Sequence, residues 1–143
     1  MKKDFLVIVR GGGDLATGCI HRLWSAGFKV LVLECAAPAA IRRQVSVCEA
    51  VYEGSNVFEG MTAVLINNVQ EADSVWQAGN VPVLVDETGA CVEELKPDVV
   101  VDAIIAKKNL GTKIDMAPLT VALGPGFEAG VDVDAIVETK RGH

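Results

Sequence analysis

Apolar and polar positions alternate along this chain in two rhythms, one of unbroken short runs and one of helical spacing. Phe5 to Val9 (FLVIV) is a continuous apolar run that reads as a strand, and Lys29 to Leu33 (KVLVL) reads as a second buried strand. Between them Leu15, Cys19, Leu23 and Ala26 recur at a helical interval, with Thr17, His21 and Ser25 on the opposite face, and Gly27 predicts the stop. Strand, loop, helix and strand within about thirty residues is the size of a βαβ unit. Pro38 suits the first turn of a second helix, running to about Val47 and carrying Arg42 and Arg43. Ala50 to Glu53 reads as a short strand. Thr62 to Ile66 reads either as a strand or as the start of a helix covering Gln70 to Ala78.

Beyond these, Val81 to Val85 (VPVLV) and Asp98 to Val101 (DVVV) read as buried strands. A turn at Thr88-Gly89 and a short helix near Val92 to Leu95 separate them. A polar loop, KKNLGTKIDMAP, precedes a strand at Leu119 to Leu123, a second glycine loop (GPGFEAG) and a final strand at Ala135 to Glu138. No repeat, low-complexity tract or linker interrupts the alternation. Residues 1–143 are therefore expected to form one α/β domain with an open, mainly parallel sheet of about six strands in three αβα layers.

Composition sharpens this. Half the residues are hydrophobic and only 5% are aromatic, so the core is expected to be Val, Ile, Leu and Ala, as in a parallel sheet buried on both faces. The formal net charge is −6, and no block of lysines or arginines exceeds a pair, which argues against nucleic acid as a partner. The apolar run after MKKD is too short for a signal peptide, and no stretch approaches the ~20 residues of a membrane span. A cytoplasmic protein without a membrane partner is the expectation. Cys19, Cys35, Cys48 and Cys91 form no C-x-x-C pair, so they are expected to be reduced thiols rather than metal ligands.

The stretch VIVRGGGDLATG carries the candidate chemistry. In a dinucleotide-binding turn the first glycine makes the bend, the second admits the phosphate, and a third small residue lets helix and strand pack closely. Gly11-x-Gly13-x-x-Ala16 fits that template, with Gly12 in the variable place and Gly18 available for further closeness. Glu34 ends the second strand 23 positions after Gly11, where a carboxylate meets ribose hydroxyls. Asp14 is compatible with a phosphate only if it points outward as a helix cap. The candidate cofactor-binding set is Gly11, Gly12, Gly13, Asp14, Leu15, Ala16 and Glu34, and the fold is Rossmann-like. A purely structural turn is the competing reading.

Arg10, Glu34, Asp86 and Asp102 each follow a buried strand, which suggests one polar edge at the strand ends, where ligands bind in open α/β sheets. The loop after Asp102 concentrates Lys107, Lys108, Asn109, Lys113 and Asp115, either a solvated loop or a second anion contact. Asp102, Lys107, Asn109 and Asp115 are the candidate substrate-binding residues. No G-x-S-x-G elbow occurs, and Ser25, Ser46, Ser55 and Ser74 lack motif context. His21 is expected to face solvent and Cys35 to be an inert thiol. No residue is assigned a catalytic role.

The runs VRGGGDLATG, AIRRQVSVCEAVYEG, DAIIAKKNLGTKIDMAP and LGPGFEAGVDVDAIVET resemble the YqeB-type accessory proteins of selenium-dependent molybdenum hydroxylase systems. The third run is the most specific, because nothing in general Rossmann physics demands it. The resemblance extends through nearly the whole chain and implies a Rossmann-like domain acting in maturation of a molybdenum enzyme, similar in idea to the XdhC accessory proteins. It implies also that 1–143 is either a short version or the amino-terminal part of a longer family chain. Two readings follow. One is an accessory protein holding a phosphate-bearing cofactor, molybdopterin-type or nucleotide, with a hydroxylase as partner. The alternative is an NAD-dependent oxidoreductase or NAD-binding regulatory module. Self-association is compatible with either.

Overall fold

The computed structural model describes residues 5–38, 46–106 and 109–137. The first apolar run forms β1 (Leu6–Arg10), and the glycine triplet leads into α1 (Asp14–Ser25). β2 (Lys29–Glu34) follows. A single 3₁₀ turn at Val47–Glu49 then runs into α2 (Ala50–Glu53), so this segment is helical and not the expected strand. The reason is local: the Ala50 amide donates back to the Val47 carbonyl, and Gly54, at φ 86°, closes the turn. The expected helix from Pro38 to about Val47 lies largely outside the described residues.

β3 (Ser55–Phe58) and β4 (Met61–Ile66) form an antiparallel hairpin. Its two-residue turn, Glu59 and Gly60, has both residues at positive φ, 46° and 84°, the geometry that suits tightly joined antiparallel strands. After it come α3 (Ala72–Gln77), β5 (Val81–Val85), α4 (Cys91–Leu95), β6 (Val99–Asp102), β7 (Leu119–Leu123) and β8 (Ala135–Val137). The architecture is α/β as expected, but the sheet has eight strands rather than about six, in the order β3-β4-β5-β2-β1-β6-β7-β8. Every pairing is parallel except the β3–β4 hairpin.

Residue size divides the two faces. Val7, Val9, Val30, Val32, Ala63, Val81 and Val83 lie on the face that receives Ala16 and Ile20 of α1. Leu6, Ile8, Leu31, Leu33, Ile66 and Leu84 lie on the other, against α3 and α4. Small side chains on the first face let α1 and the glycine turn approach the sheet closely.

Helix α1 is rotated from its expected orientation. Ala16, Thr17 and Ile20 are buried while Leu15 is 49% exposed. Thr17 tolerates burial because its hydroxyl donates to the Gly13 carbonyl at 2.7 Å and accepts from the Val47 amide at 2.9 Å. His21 does not stand free in solvent. It is half-buried, 5.5 Å from the Phe58 and Trp24 ring centroids, with Nε2 3.1 Å from the Glu59 carbonyl oxygen. Among the described residues no helix is long and apolar enough to cross a membrane.

Candidate functional site

The strand order reverses direction between β1 and β6, which creates a switch point outside their carboxyl ends. Register brings the polar strand ends together there: Arg10 pairs with Asp102 and with Leu33, and Glu34 pairs with Val85. Two loops flank the switch point. One is the glycine turn after β1, and the other follows β6.

The three glycines of the turn have different reasons to be glycine. Gly11 has φ 103°, and a Cβ there would stand 2.8 Å from the Ala103 carbonyl oxygen. At Gly12 a Cβ would meet the Cys48 nitrogen at 3.1 Å, because the Cys48 amide donates to the Gly12 carbonyl. The protein's own packing and backbone require glycine at Gly11 and enclose Gly12 tightly. Gly13 differs: its φ is −78°, and among the described residues no heavy atom lies within 4 Å of the position its Cβ would take.

Beyond Gly13 the helix is uncapped. No side chain bonds the amino end of α1, and among the described residues the amides of Gly13, Asp14, Leu15 and Ala16 find no acceptor. Asp14 is exposed and accepts a hydrogen bond from the Ser46 hydroxyl rather than capping the helix. Leu15 is exposed, and Ala16, 1% exposed, packs in the core against the sheet. Gly18 gives no such closeness, since among the described residues a Cβ there meets nothing within 4 Å. The Glu34 carboxylate lies beside the turn, its Oε2 accepting from the Gly12 amide at 2.7 Å and its Oε1 from the Cys35 amide at 2.8 Å. Helix amides with no acceptor at a positive dipole end suit an anion.

The loop after β6 is built the opposite way. Buried Arg10 donates from Nη1 to the Thr112 hydroxyl at 2.7 Å, and from Nη2 to the carbonyls of Glu87 and Leu110. The same Thr112 hydroxyl donates to Asp102 Oδ2, while Oδ1 of Asp102 accepts from the Ile104 amide. Asn109 bonds its own loop, with Oδ1 accepting from the amides of Gly111 and Thr112 and Nδ2 donating to the Thr112 carbonyl. Asp102 and Asn109 thus stand together, joined through Thr112, and spend their polar atoms on the fold. Asp86 caps the turn before α4, accepting from the amides of Gly89, Ala90 and Cys91.

Asp115 lies further along the connection after β6. It lines a cavity of about 750 Å³ with Lys113, Glu93 and Lys96 beside α4. A second cavity, about 550 Å³, lies at the amino ends of β2 and β5 between Trp24, Phe28, Lys29 and Trp76. Neither is lined by the glycine turn. Lys107 lies outside the described residues. Burial pushes the thiols up, Cys48 to about 11 and Cys91 to about 12, with nearby carboxylates adding to the effect, so neither is a thiolate nucleophile at neutral pH.

The chain is similar to YqeB of Escherichia coli (strain K12). The two are 51% identical over 138 residues, and that protein is described only as uncharacterized. The match covers 96% of this chain and 26% of YqeB, so the chain spans about a quarter of the length of its curated relative. No protein-family model and no solved structure matches the chain.

Sequence reasoning missed Thr17, Ser46 and Thr112, the hydroxyls that tie the two loops down. A signal for the last existed: Asn109 followed by Gly111 and Thr112 is the composition of a loop closed by an asparagine side chain.

Proposed function

We propose that this chain binds a phosphate-bearing cofactor, of molybdopterin type or a nucleotide, at the amino end of α1, and that it serves the maturation of a selenium-dependent molybdenum hydroxylase. The observation that carries the binding is Gly13. The fold needs no glycine there, for packing or for φ, yet the position adjoins amides without acceptors at the topological switch point. A side chain at Gly13 would fill the room a phosphate needs. The carboxylates of Asp14 and Glu34 each accept protein hydrogen bonds, which partly offsets their repulsion of an anion.

The step to molybdenum is an analogy, resting on the likeness to YqeB-type accessory proteins. Part of KKNLGTKIDMAP has a structural explanation, since Asn109, Gly111 and Thr112 close the loop on itself. The test is mass spectrometry of small molecules released from the folded protein, with a phosphorylated pterin or nucleotide as the expected product. A host lacking the gene should then make hydroxylase apoprotein without activity. Full hydroxylase activity in that host counts against the maturation role.

The dinucleotide alternative draws on Glu34, whose carboxylate sits 2.7 Å from the Gly12 amide with lone pairs left for ribose hydroxyls. On that reading NAD binds more tightly than NADP, because a 2′-phosphate would meet Glu34 as a like charge. Tighter binding of NADP excludes this use of Glu34.

A further inference from the structure

The cavity of about 550 Å³ lies at the opposite edge of the sheet from the glycine turn, since Lys29 on its wall pairs with Leu6 while the turn follows Arg10. Trp24 and Trp76, the two tryptophans of the chain, both line it, one from the last turn of α1 and one from α3. Their indole nitrogens are engaged: Trp24 Nε1 donates to the Gly79 carbonyl at 2.8 Å, and Trp76 Nε1 to the Val30 carbonyl at 3.0 Å. Both half-buried rings are thus held in place before any ligand arrives. The polar side chains between them are not engaged. Among the described residues the side chains of Asp73, Gln77 and Asn80 form no hydrogen bond. Asn80 is the best fixed of the three: it is half-buried, its backbone amide is tied to the Val75 carbonyl at 3.0 Å, and β5 begins at the next residue. Lys29, with Nζ 5.3 Å from the Trp76 ring centroid, and Asp73 bring one charge of each sign, so these walls carry no net charge to hold an ion.

We propose that this cleft binds the adenine ring of an uncharged nucleoside, with Asn80 as its specificity-determining residue. Indole rings bind a base by stacking, which any planar heterocycle can use. The choice of base falls to Asn80, whose carboxamide sets one donor beside one acceptor, the complement of N7 and the N6 amino group of adenine. An aliphatic ligand would leave that carboxamide unpaired. A phosphorylated one would meet Asp73 as well as Lys29. The volume is in the range of small-molecule pockets. The cleft shares no residue with the glycine turn, so the proposal stands apart from the phosphate-binding reading.

Because both tryptophans line this cleft, indole fluorescence reads it directly. Titration of the protein with adenosine should quench that emission saturably. Inosine presents acceptors at both O6 and N7, so Asn80 can donate to only one of them, and inosine should bind about tenfold more weakly than adenosine. Asn80→Leu keeps the backbone bond to Val75 and removes the carboxamide; it should weaken adenosine about tenfold and abolish the preference over inosine. Gly13→Val, at the other edge of the sheet, should titrate with adenosine as the wild type does. Where Asn80→Leu fails to fold, the comparison of adenosine with inosine on the wild type decides alone. The proposal is overturned by adenosine that gives no saturable quenching, by equal binding of the two nucleosides, or by unchanged adenosine binding in a folded Asn80→Leu. Loss of adenosine binding in Gly13→Val also overturns it, by placing the nucleoside at the glycine turn.

Discussion

The glycine turn after β1 and the loop after β6 stand side by side at one edge of one sheet, both rich in polar groups, yet they dispose of those groups in opposite ways. In the loop after β6, Arg10, Asp102, Asn109 and Thr112 satisfy one another and the neighbouring backbone. In the turn, the amides of residues 13–16 find no acceptor among the described residues, and Gly13 leaves room where the fold asks for none. Polarity at a strand end is thus no guide to binding. What distinguishes a site from a brace is whether its hydrogen-bonding capacity is already spent.

Breaking the brace should have the largest effect. Thr112→Val takes one hydrogen bond from the buried Arg10 guanidinium and one from the buried Asp102 carboxylate, and should lower stability by about 3 kcal/mol in urea denaturation. Next comes Gly11→Ala. Its new Cβ would meet the Ala103 oxygen at 2.8 Å in a backbone at φ 103°, a strain expected to cost about 2 kcal/mol by the same measurement.

Asp86 offers a smaller, pH-dependent test of a brace. Burial raises its carboxyl pKa, but the amides of Cys91, Ala90 and Gly89, with the Cys91 thiol, outweigh burial and hold it below the ordinary value. A folded pKa below the unfolded one means stability that is present above the ordinary carboxylate range and is lost as pH falls through it. Asp86→Ala should therefore cost about 1 kcal/mol at neutral pH, and the gap between variant and wild-type denaturation midpoints should narrow as pH falls below the ordinary carboxylate range. The smallest change belongs to the open side. Gly13→Ala should alter stability by no more than about 0.5 kcal/mol, and a large loss would mean that Gly13, too, is structural.

Much of the fold was legible because β-branched runs such as FLVIV and KVLVL have no other economical disposal than a buried parallel strand. The place of Glu34 at the end of the second strand was legible for the same reason, since strand length fixes where that strand ends, but its bond to the Gly12 amide was not. β3 escaped because SNVF is a half-exposed edge strand, and its turn carries Glu59 where asparagine would announce a hairpin. The rotation of α1 escaped because a buried Thr17 is paid for by hydrogen bonds that only the folded turn supplies. Asp102 and Asn109 were singled out by type and place, but residue type does not reveal whether Thr112 has already engaged them.

The open amides of the glycine turn are the centre of the functional account, and calorimetric titration of wild type and Gly13→Val with a panel of nucleotides and pterin phosphates tests them most directly. A Cβ at Gly13 meets no heavy atom within 4 Å among the described residues, and a branched side chain there would occupy the space above the helix end. The account predicts that wild type binds at least one of these compounds while Gly13→Val, folded and equally stable to within about 0.5 kcal/mol, binds it at least tenfold more weakly, a difference of about 1.4 kcal/mol. Equal binding by the two proteins, or none by the wild type, would contradict it and leave the turn as a purely structural bend.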